Sequence, residues 1–401
     1  MKCNILTFIV CVILLLFSNI TVSSSTNTNN TCLYDSVRIS LLTCSPHNEV
    51  YSLYGHTALR YENDADGQDF VVNYGVFDFG QKFFILKFAF GLTDYTMGVV
   101  PFYYFAREYE ACGSSITQQE INLTAAEKEA VAKALQLNYQ PENRIYRYNC
   151  FYKNCSTMAR DIVTDNIDGE VIYPETNEEM SYRDLTHMCN DNFPWAKLGN
   201  DLVLGLGADM NIGVKERQFL PAVLMDNFSK AVIKTKDGTR PLVKKTTVVL
   251  QAGTQMQEED FPLTPMMCFG IVFAICIAVC VTELIRKKMT LWFDTLLMLA
   301  TGFGGLLVFT MYFSQHPTTS TNLMIFMLNP LPLFFIRSIY RAEKKGAQCT
   351  WWKIWMTLGL LSLISGLLIQ DFDNSMVLMS VAISLRAAMH LRNEKVMKLK
   401  K

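Results

Sequence analysis

The sequence has almost no net charge and little histidine. Lys and Arg number 36 against 37 Asp and Glu, a formal net charge of −1, so nothing in the composition points to nucleic acid as a partner. Histidine is scarce, 5 in 401 residues. Only His47, His56 and His187 precede the apolar tail, and no Cys-x-x-Cys spacing accompanies them, which argues against a zinc site. The first apolar run is not followed by a Leu-x-x-Cys pattern, so the chain is not expected to be a lipoprotein itself. There is no internal repeat and no low-complexity domain, apart from a Ser/Thr/Asn stretch at 23–31 that reads as a flexible linker.

What the sequence does have is a split in composition. Residues 1–24 carry Lys2, an apolar run from Ile5 to Phe17, and small residues at Val22, Ser23 and Ser24, the pattern of a cleaved secretory signal, with an uncleaved anchor as the other reading. Residues 25–262 are mixed polar and apolar and form the candidate exported domain. Residues 263–401 hold five apolar runs long enough to span a bilayer, at 266–285, 291–313, 322–340, 352–370 and 375–392. Arg286–Lys288, Arg337–Lys345 and Arg392–Lys401 are basic, whereas 314–321 and 370–374 contain no Lys or Arg. The positive-inside rule therefore puts the basic segments in the cytoplasm and the exported domain outside. Charged residues are absent from the central parts of most spans, which argues against an ion pathway.

In the exported domain, Val37–Thr43 reads as a strand. Ser52–Tyr61 alternates so that Tyr54, His56, Ala58 and Arg60 share a face, and it forms a hairpin with Phe70–Gly75 across a turn at Asp64–Gly67. Thr124 and Glu127 form a capping box for a helix over 125–138. Arg144–Tyr148 reads as a strand and Ser156–Val163 as a helix, with weaker helical signals at Ser181–Leu185 and Glu216–Phe228.

Two segments carry chemistry: Tyr54-Gly-His-Thr-Ala-Leu-Arg60 and Asn154-Cys-Ser-Thr-Met-Ala-Arg-Asp161. A cysteine that opens a helix gains acidity from the unpaired amides there, and a histidine on a strand can serve as its base. The six exported cysteines, Cys32, Cys44, Cys112, Cys150, Cys155 and Cys189, can instead all pair, which would make Cys155 a half-cystine. His56 can equally be a hydrogen-bonded core histidine. Asn73 on the paired strand, or Asp78, can hold the His56 ring, and a turn or ladder role for Asn73 stands beside that. Arg60 and Arg160 are candidates either for a lipid phosphate or for ordinary salt bridges.

A histidine on an early strand and an Asn-Cys at a later helix start resemble circularly permuted papain-like enzymes such as the lecithin:retinol acyltransferase group. More closely, Tyr54-Gly-His56, Asn73-Tyr-Gly75, Phe77-Asp-Phe79, Tyr146-x-Tyr148 and Asn154-Cys-Ser-Thr157, with Gln315-His316-Pro317 and Asn329-Pro330 in the tail, resemble the Lnb family of Bacteroidetes lipoprotein N-acyltransferases. That resemblance implies an α+β, permuted papain-like periplasmic domain followed by an α-helical membrane bundle in the bacterial inner membrane. It implies Cys155 as nucleophile and His56 as base, without settling Asn73. The expected reaction moves an acyl chain from a phospholipid donor, through a Cys155 thioester, to the free α-amine of a diacylated lipoprotein acceptor. The Cys155 N–H with the side chain of Asn154 or Tyr148 would hold the oxyanion, Tyr54 and Arg60 complete the expected substrate site, and no cofactor is required. Asn329-Pro330 is expected to break the third span and Gln315-His316 to lie at its outer rim, with plain loop and kink roles as the alternative. The same dyad would serve a membrane-bound cysteine peptidase or amidase acting on the cell wall. A non-catalytic receptor or transporter would instead leave both residues structural.

Overall fold

The computed structural model describes residues 34–47, 52–78, 80–254, 261–345 and 347–399. The expected signal segment, the linker at 23–31 and Cys32 lie outside the described residues.

In chain order the N-terminal domain comprises β1 (Val37–Cys44), β2 (His56–Asn63), β3 (Gln68–Val76), α1 (Phe84–Ala89), β4 (Asp94–Pro101), α2 (Phe102–Ala111), β5 (Ile116–Ile121), α3 (Ala125–Tyr139), β6 (Ile145–Arg147), α4 (Cys155–Thr164), β7 (Glu170–Ile172), α5 (Tyr182–Asn190), α6 (Pro194–Val203), α7 (Val214–Arg217), α8 (Pro221–Lys230), β8 (Val232–Thr235), β9 (Gly238–Pro241) and β10 (Val243–Leu250). Seven strands form one sheet in the order β10-β5-β1-β2-β3-β4-β6, every neighbouring pair antiparallel. Strands β7, β8 and β9 form a small second sheet.

The alternation along β2 decides which side chain meets which helix. Leu59 joins Ile39, Leu41 and Val72 in the main core, closed by Val131 of α3, Ala159 and Val163 of α4, and Leu224 and Phe228 of α8. Ala58 points the other way, into a smaller cluster with Val71 and Phe105 of α2. The sheet is thus covered on both faces, and the end of β2 carrying His56 is left between the layers. The hairpin and the α3 capping box match the sequence reading, with Thr124 and Glu127 exchanging backbone hydrogen bonds. The expected helix over 216–228 is two helices, because Pro221 lacks the N–H that an uninterrupted helix would use. Strand β2 also starts later than expected. Tyr54 lies in a turn, and Gly55 has φ +74°, where an added Cβ would stand 2.7 Å from the Cys44 carbonyl oxygen.

Beyond Pro265 come α9 (Pro265–Arg286), α10 (Leu291–Met311), α11 (Leu331–Lys344), α12 (Trp351–Leu368) and α13 (Asn374–Leu399). Five segments are long and apolar enough to cross a membrane, the third running from Leu323 to Lys344. That third span is interrupted before Pro330. Asn329 fills the break, its Oδ1 accepting from the Leu331 N–H and its Nδ2 donating to the Phe326 carbonyl, both at 3.1 Å. Gly305 of α10 permits this, since a Cβ there would collide with the Asn329 backbone.

At the bundle end farther from the domain, Arg386 bridges two carboxylates. It contacts Glu283 at 2.6 and 2.9 Å and Asp294 at 2.7 and 2.8 Å, and His390 approaches Asp294 at 2.7 Å. Glu283, Asp294, Arg386 and His390 are all buried. Removing one member of such a group strands the rest uncompensated, so Arg386→Ala is expected to cost about 3–5 kcal/mol. Thermal unfolding of the solubilised full chain reads this as a lowered Tm, with Arg386→Lys intermediate. An unchanged Tm would show that the cluster makes no net contribution.

Candidate active site

Helix α4 begins at Asn154, whose extended backbone (φ −121°, ψ −172°) makes it the cap. Its Oδ1 accepts from the N–H groups of Ser156 and Thr157, both at 3.0 Å. Its Nδ2 donates to the carbonyls of Cys150 at 2.8 Å and Phe219 at 2.9 Å. Thr157 Oγ1 in turn accepts from the Asn154 N–H at 2.9 Å. Cys155 is therefore the first helical residue, and its own N–H stays outside the cap at the positive end of the helix. The hydroxyls of Thr57 and Ser156 meet at 2.9 Å and tie this helix start to β2.

The Cys155 thiol lies in hydrogen-bonding contact with His56. His56 Nε2 meets Asn73 Oδ1 at 2.6 Å, which leaves Nδ1 as the ring nitrogen for sulfur. Asn73 is thus the residue that orients the ring, while Asp78 caps its own turn by accepting from the Gly80 N–H at 2.8 Å. Tyr109 of α2 stacks on the imidazole at 6.4 Å between centroids. Gly75 has φ +95° beside a register shift in β3, and a Cβ there would stand 3.9 Å from that of Cys155.

Burial on its own would raise the thiol pKa, but His56, the Thr57 N–H and the Ser156 hydroxyl outweigh it and hold Cys155 below the ordinary thiol range. Burial would likewise lower His56, yet Cys155 and Asn73 hold it above the ordinary imidazole value. Opposite shifts in adjacent groups favour a thiolate–imidazolium pair, the nucleophilic form of cysteine. Cys150, by contrast, is pushed up by burial to about 12 and stays a thiol. Tyr148 is held well above the usual phenol range by burial and by Cys150 and Cys155, so its hydroxyl remains a donor. It stacks on Tyr95 at 4.0 Å.

Four expected residues are engaged elsewhere. Both amide hydrogens of Asn154 are taken by carbonyls, which corrects its assignment as an oxyanion donor. Arg60 grips Asp69 through two 2.8 Å bonds, contacts Glu62, and covers the Phe102 ring, so no fork is left for phosphate. Tyr54 accepts from Asn190 at 2.9 Å and Asn200 at 2.8 Å, joining α5 to α6. Arg160 is buried against Asp161 and the Lys215 carbonyl. Cys44, Cys112, Cys150, Cys155 and Cys189 are all free. Among the described residues, no three His, Cys, Asp or Glu gather as metal ligands.

The loop after α10 docks beside the site. His316 Nε2 meets the Phe88 carbonyl at 3.0 Å and its Nδ1 meets Asn149 Nδ2 at 3.2 Å, which fixes the neutral tautomer with its proton on Nε2. Burial accordingly lowers the His316 pKa. Phe88 in turn stacks on Tyr148 at 6.3 Å. Asn149 and Tyr109 belong to this site without any local sequence signal, because each acts on a residue far along the chain.

An α+β domain docked on a helical region with five candidate spans defines a membrane-associated protein with an N-terminal domain outside the spans. A family model for the Lnb N-terminal periplasmic domain matches residues 25–187, and one for the Lnb transmembrane domain matches 256–397. The chain belongs to the Lnb family, with a periplasmic N-terminal domain and a multi-pass membrane region. No curated protein and no solved structure matches it.

The cap and the dyad are separable by experiment. Asn154→Ala is expected to cost about 1–2 kcal/mol of domain stability, read as a lowered Tm, with Asn154→Asp recovering only part of it, because a carboxylate can cap the helix but cannot donate to the Cys150 and Phe219 carbonyls. His56→Ala is expected to move Cys155 alkylation to higher pH, because thiolate forms as pH rises through a thiol pKa that His56 now depresses. In the unaltered protein the ion pair is filled between the lowered Cys155 pKa and the raised His56 pKa and is lost above the latter. An alkylation profile identical in both proteins would exclude the pair.

Proposed function

We propose that this chain is a lipoprotein N-acyltransferase of the inner membrane that takes its acyl chain from a phospholipid. The observation that carries the reading is the Cys155–His56–Asn73 arrangement at a helix start, on a domain docked against membrane helices. The order of histidine strand and cysteine helix is that of the permuted papain-like enzymes. The Cys155 thiolate attacks an acyl ester carbonyl, the ester C–O bond breaks, and protonated His56 gives its proton to the departing lysophospholipid oxygen. The Cys155 N–H and the Tyr148 hydroxyl are the donors for the oxyanion. The α-amine of a diacylglyceryl-cysteine then attacks the thioester, His56 takes the amine proton, and thiolate leaves.

Asn73 acts through the ring, accepting its Nε2 proton so that Nδ1 faces sulfur, and it is a positioning residue. Loss of a positioned base costs about 10²–10⁴-fold, and Cys155→Ala and His56→Ala are each expected to lose activity on at least that scale while remaining folded. Cys150→Ala is expected to be mild.

The purified full chain, given phospholipid and a diacylated lipopeptide, is expected to yield triacylated lipopeptide and lysophospholipid in equal amounts. Acetylating the acceptor amine should stop transfer and leave acyl-enzyme on Cys155, cleared by hydroxylamine. Free fatty acid as the main product would make the chain a hydrolase, and untouched lipid with cleaved peptide would make it the peptidase or amidase.

A further inference from the structure

Helix α1 exposes apolar side chains that nothing in the domain requires to be exposed. Phe83, Ile85 and Leu86 are 63%, 80% and 56% exposed, and no residue of α1 is buried. They fall within four consecutive residues, closer together than scattered surface apolar residues. Phe83, the residue before the helix, has φ +61°, a left-handed conformation that a bulky side chain seldom adopts without a constraint.

The far end of α1 is fastened to the membrane region. The loop that leaves membrane helix α10 binds the backbone at the end of α1. Ser314 Oγ donates to the Ala89 carbonyl at 2.7 Å, the Gln315 N–H to that of Phe90 at 2.9 Å, and His316 Nε2 to that of Phe88 at 3.0 Å. Gly91 has φ +67°, and a Cβ there would stand 3.2 Å from that of Gln315, so the two segments approach closely. Helix α1 is therefore fastened three residues beyond Met311, where the α10 span ends, at the level of the outer bilayer surface. Lys82 and Lys87 are exposed beside the apolar residues, a distribution suited to lipid headgroups above and acyl chains below. The inner face of the same helix leads to the thiol: Phe84 contacts Phe88 at 6.3 Å, and Phe88 contacts Tyr148 at 6.3 Å.

We propose that the segment from Lys82 to Leu86 is an interfacial lip that enters the outer leaflet of the membrane and passes a phospholipid acyl chain along Phe84 and Phe88 to Cys155. Insertion of the lip rests on geometry alone, whereas its role in delivery rests on the phospholipid-dependent reaction proposed above.

Two measurements on the full chain in phospholipid nanodiscs separate these. With benzoylphenylalanine in place of Ile85, illumination is expected to give phospholipid adducts about tenfold more often than the same residue at Leu137, which is 63% exposed on α3, since burying one such side chain in lipid is worth about that ratio. Equal adduct yields would overturn the lip. Ile85→Glu combined with Leu86→Glu is expected to slow acylation of Cys155 by vesicle phospholipid about tenfold or more, while alkylation by iodoacetamide and acylation by a water-soluble short-chain thioester stay within about twofold. Unchanged acylation from vesicles would overturn delivery. If the unaltered protein forms no acyl-enzyme from phospholipid, the reaction is wrong, and the Ile85 adducts still decide the lip.

Discussion

The N-terminus of α4 is held from two directions, and the geometry of the thiol follows from that. Asn154 closes the cap with its carbonyl oxygen and fastens it to the Cys150 and Phe219 carbonyls with its amide hydrogens. Ser156 then ties the first turn to Thr57, the neighbour of His56. Because successive strand residues point to opposite faces, Thr57 can face the helix while His56 faces Asn73 and Tyr109. One dipeptide thus sets both the position of the nucleophile and the orientation of its base. The cap uses every hydrogen-bonding group of the Asn154 side chain, so the sulfur gains from the helix terminus while the side chain that builds that terminus takes no part in chemistry.

Much of this was legible because it is encoded locally. The capping box at Thr124 and Glu127, the hairpin alternation and the five apolar runs each depend on residues within a few positions of one another, and each appears where its pattern lies. The Asn154-Cys155 helix start was legible for the same reason, but which atoms the Asn154 amide serves was not, since Phe219 lies 65 residues away. The pairing of β10 with β5, more than a hundred residues apart, has no local signature either. Nor has the Arg386 cluster, which draws on Glu283 and Asp294 about a hundred residues earlier. Arg60 shows the opposite difficulty. Its place on the same face as a candidate histidine suggested substrate, but four residues further along the strand it lies over Phe102 and between carboxylates.

The two parts of the chain are joined through polar groups as well as through Leu198 of α6, which is buried in the core of the membrane helices with Trp195 and Leu202 packed beside it. Besides the contacts of 314–316, the Gly205 and Leu206 N–H groups donate to the Thr318 and Thr321 carbonyls, and Gln370 reaches the Leu204 carbonyl at 3.1 Å. Both loops that lack Lys and Arg therefore touch the periplasmic domain, and this independently orients the bundle in the sense given by its charge asymmetry. Hydrogen bonds to backbone carbonyls fix direction as well as distance, so such a joint resists rotation better than an apolar contact of equal area.

Directional docking bears on the central chemical difficulty of the proposed reaction. A thioester in water is exposed to hydrolysis, and an amine prevails only if it is held close and water is kept out. The aromatic wall of Phe77, Tyr95, Tyr148 and Phe88 excludes water on the domain side, and His316, neutral and saturated by Asn149 and Phe88, closes the junction without adding an acid or a base of its own. Selection between amine and water on this reading is therefore made by the joint between domain and membrane more than by the dyad, whose members are the same for acyl transfer and for hydrolysis.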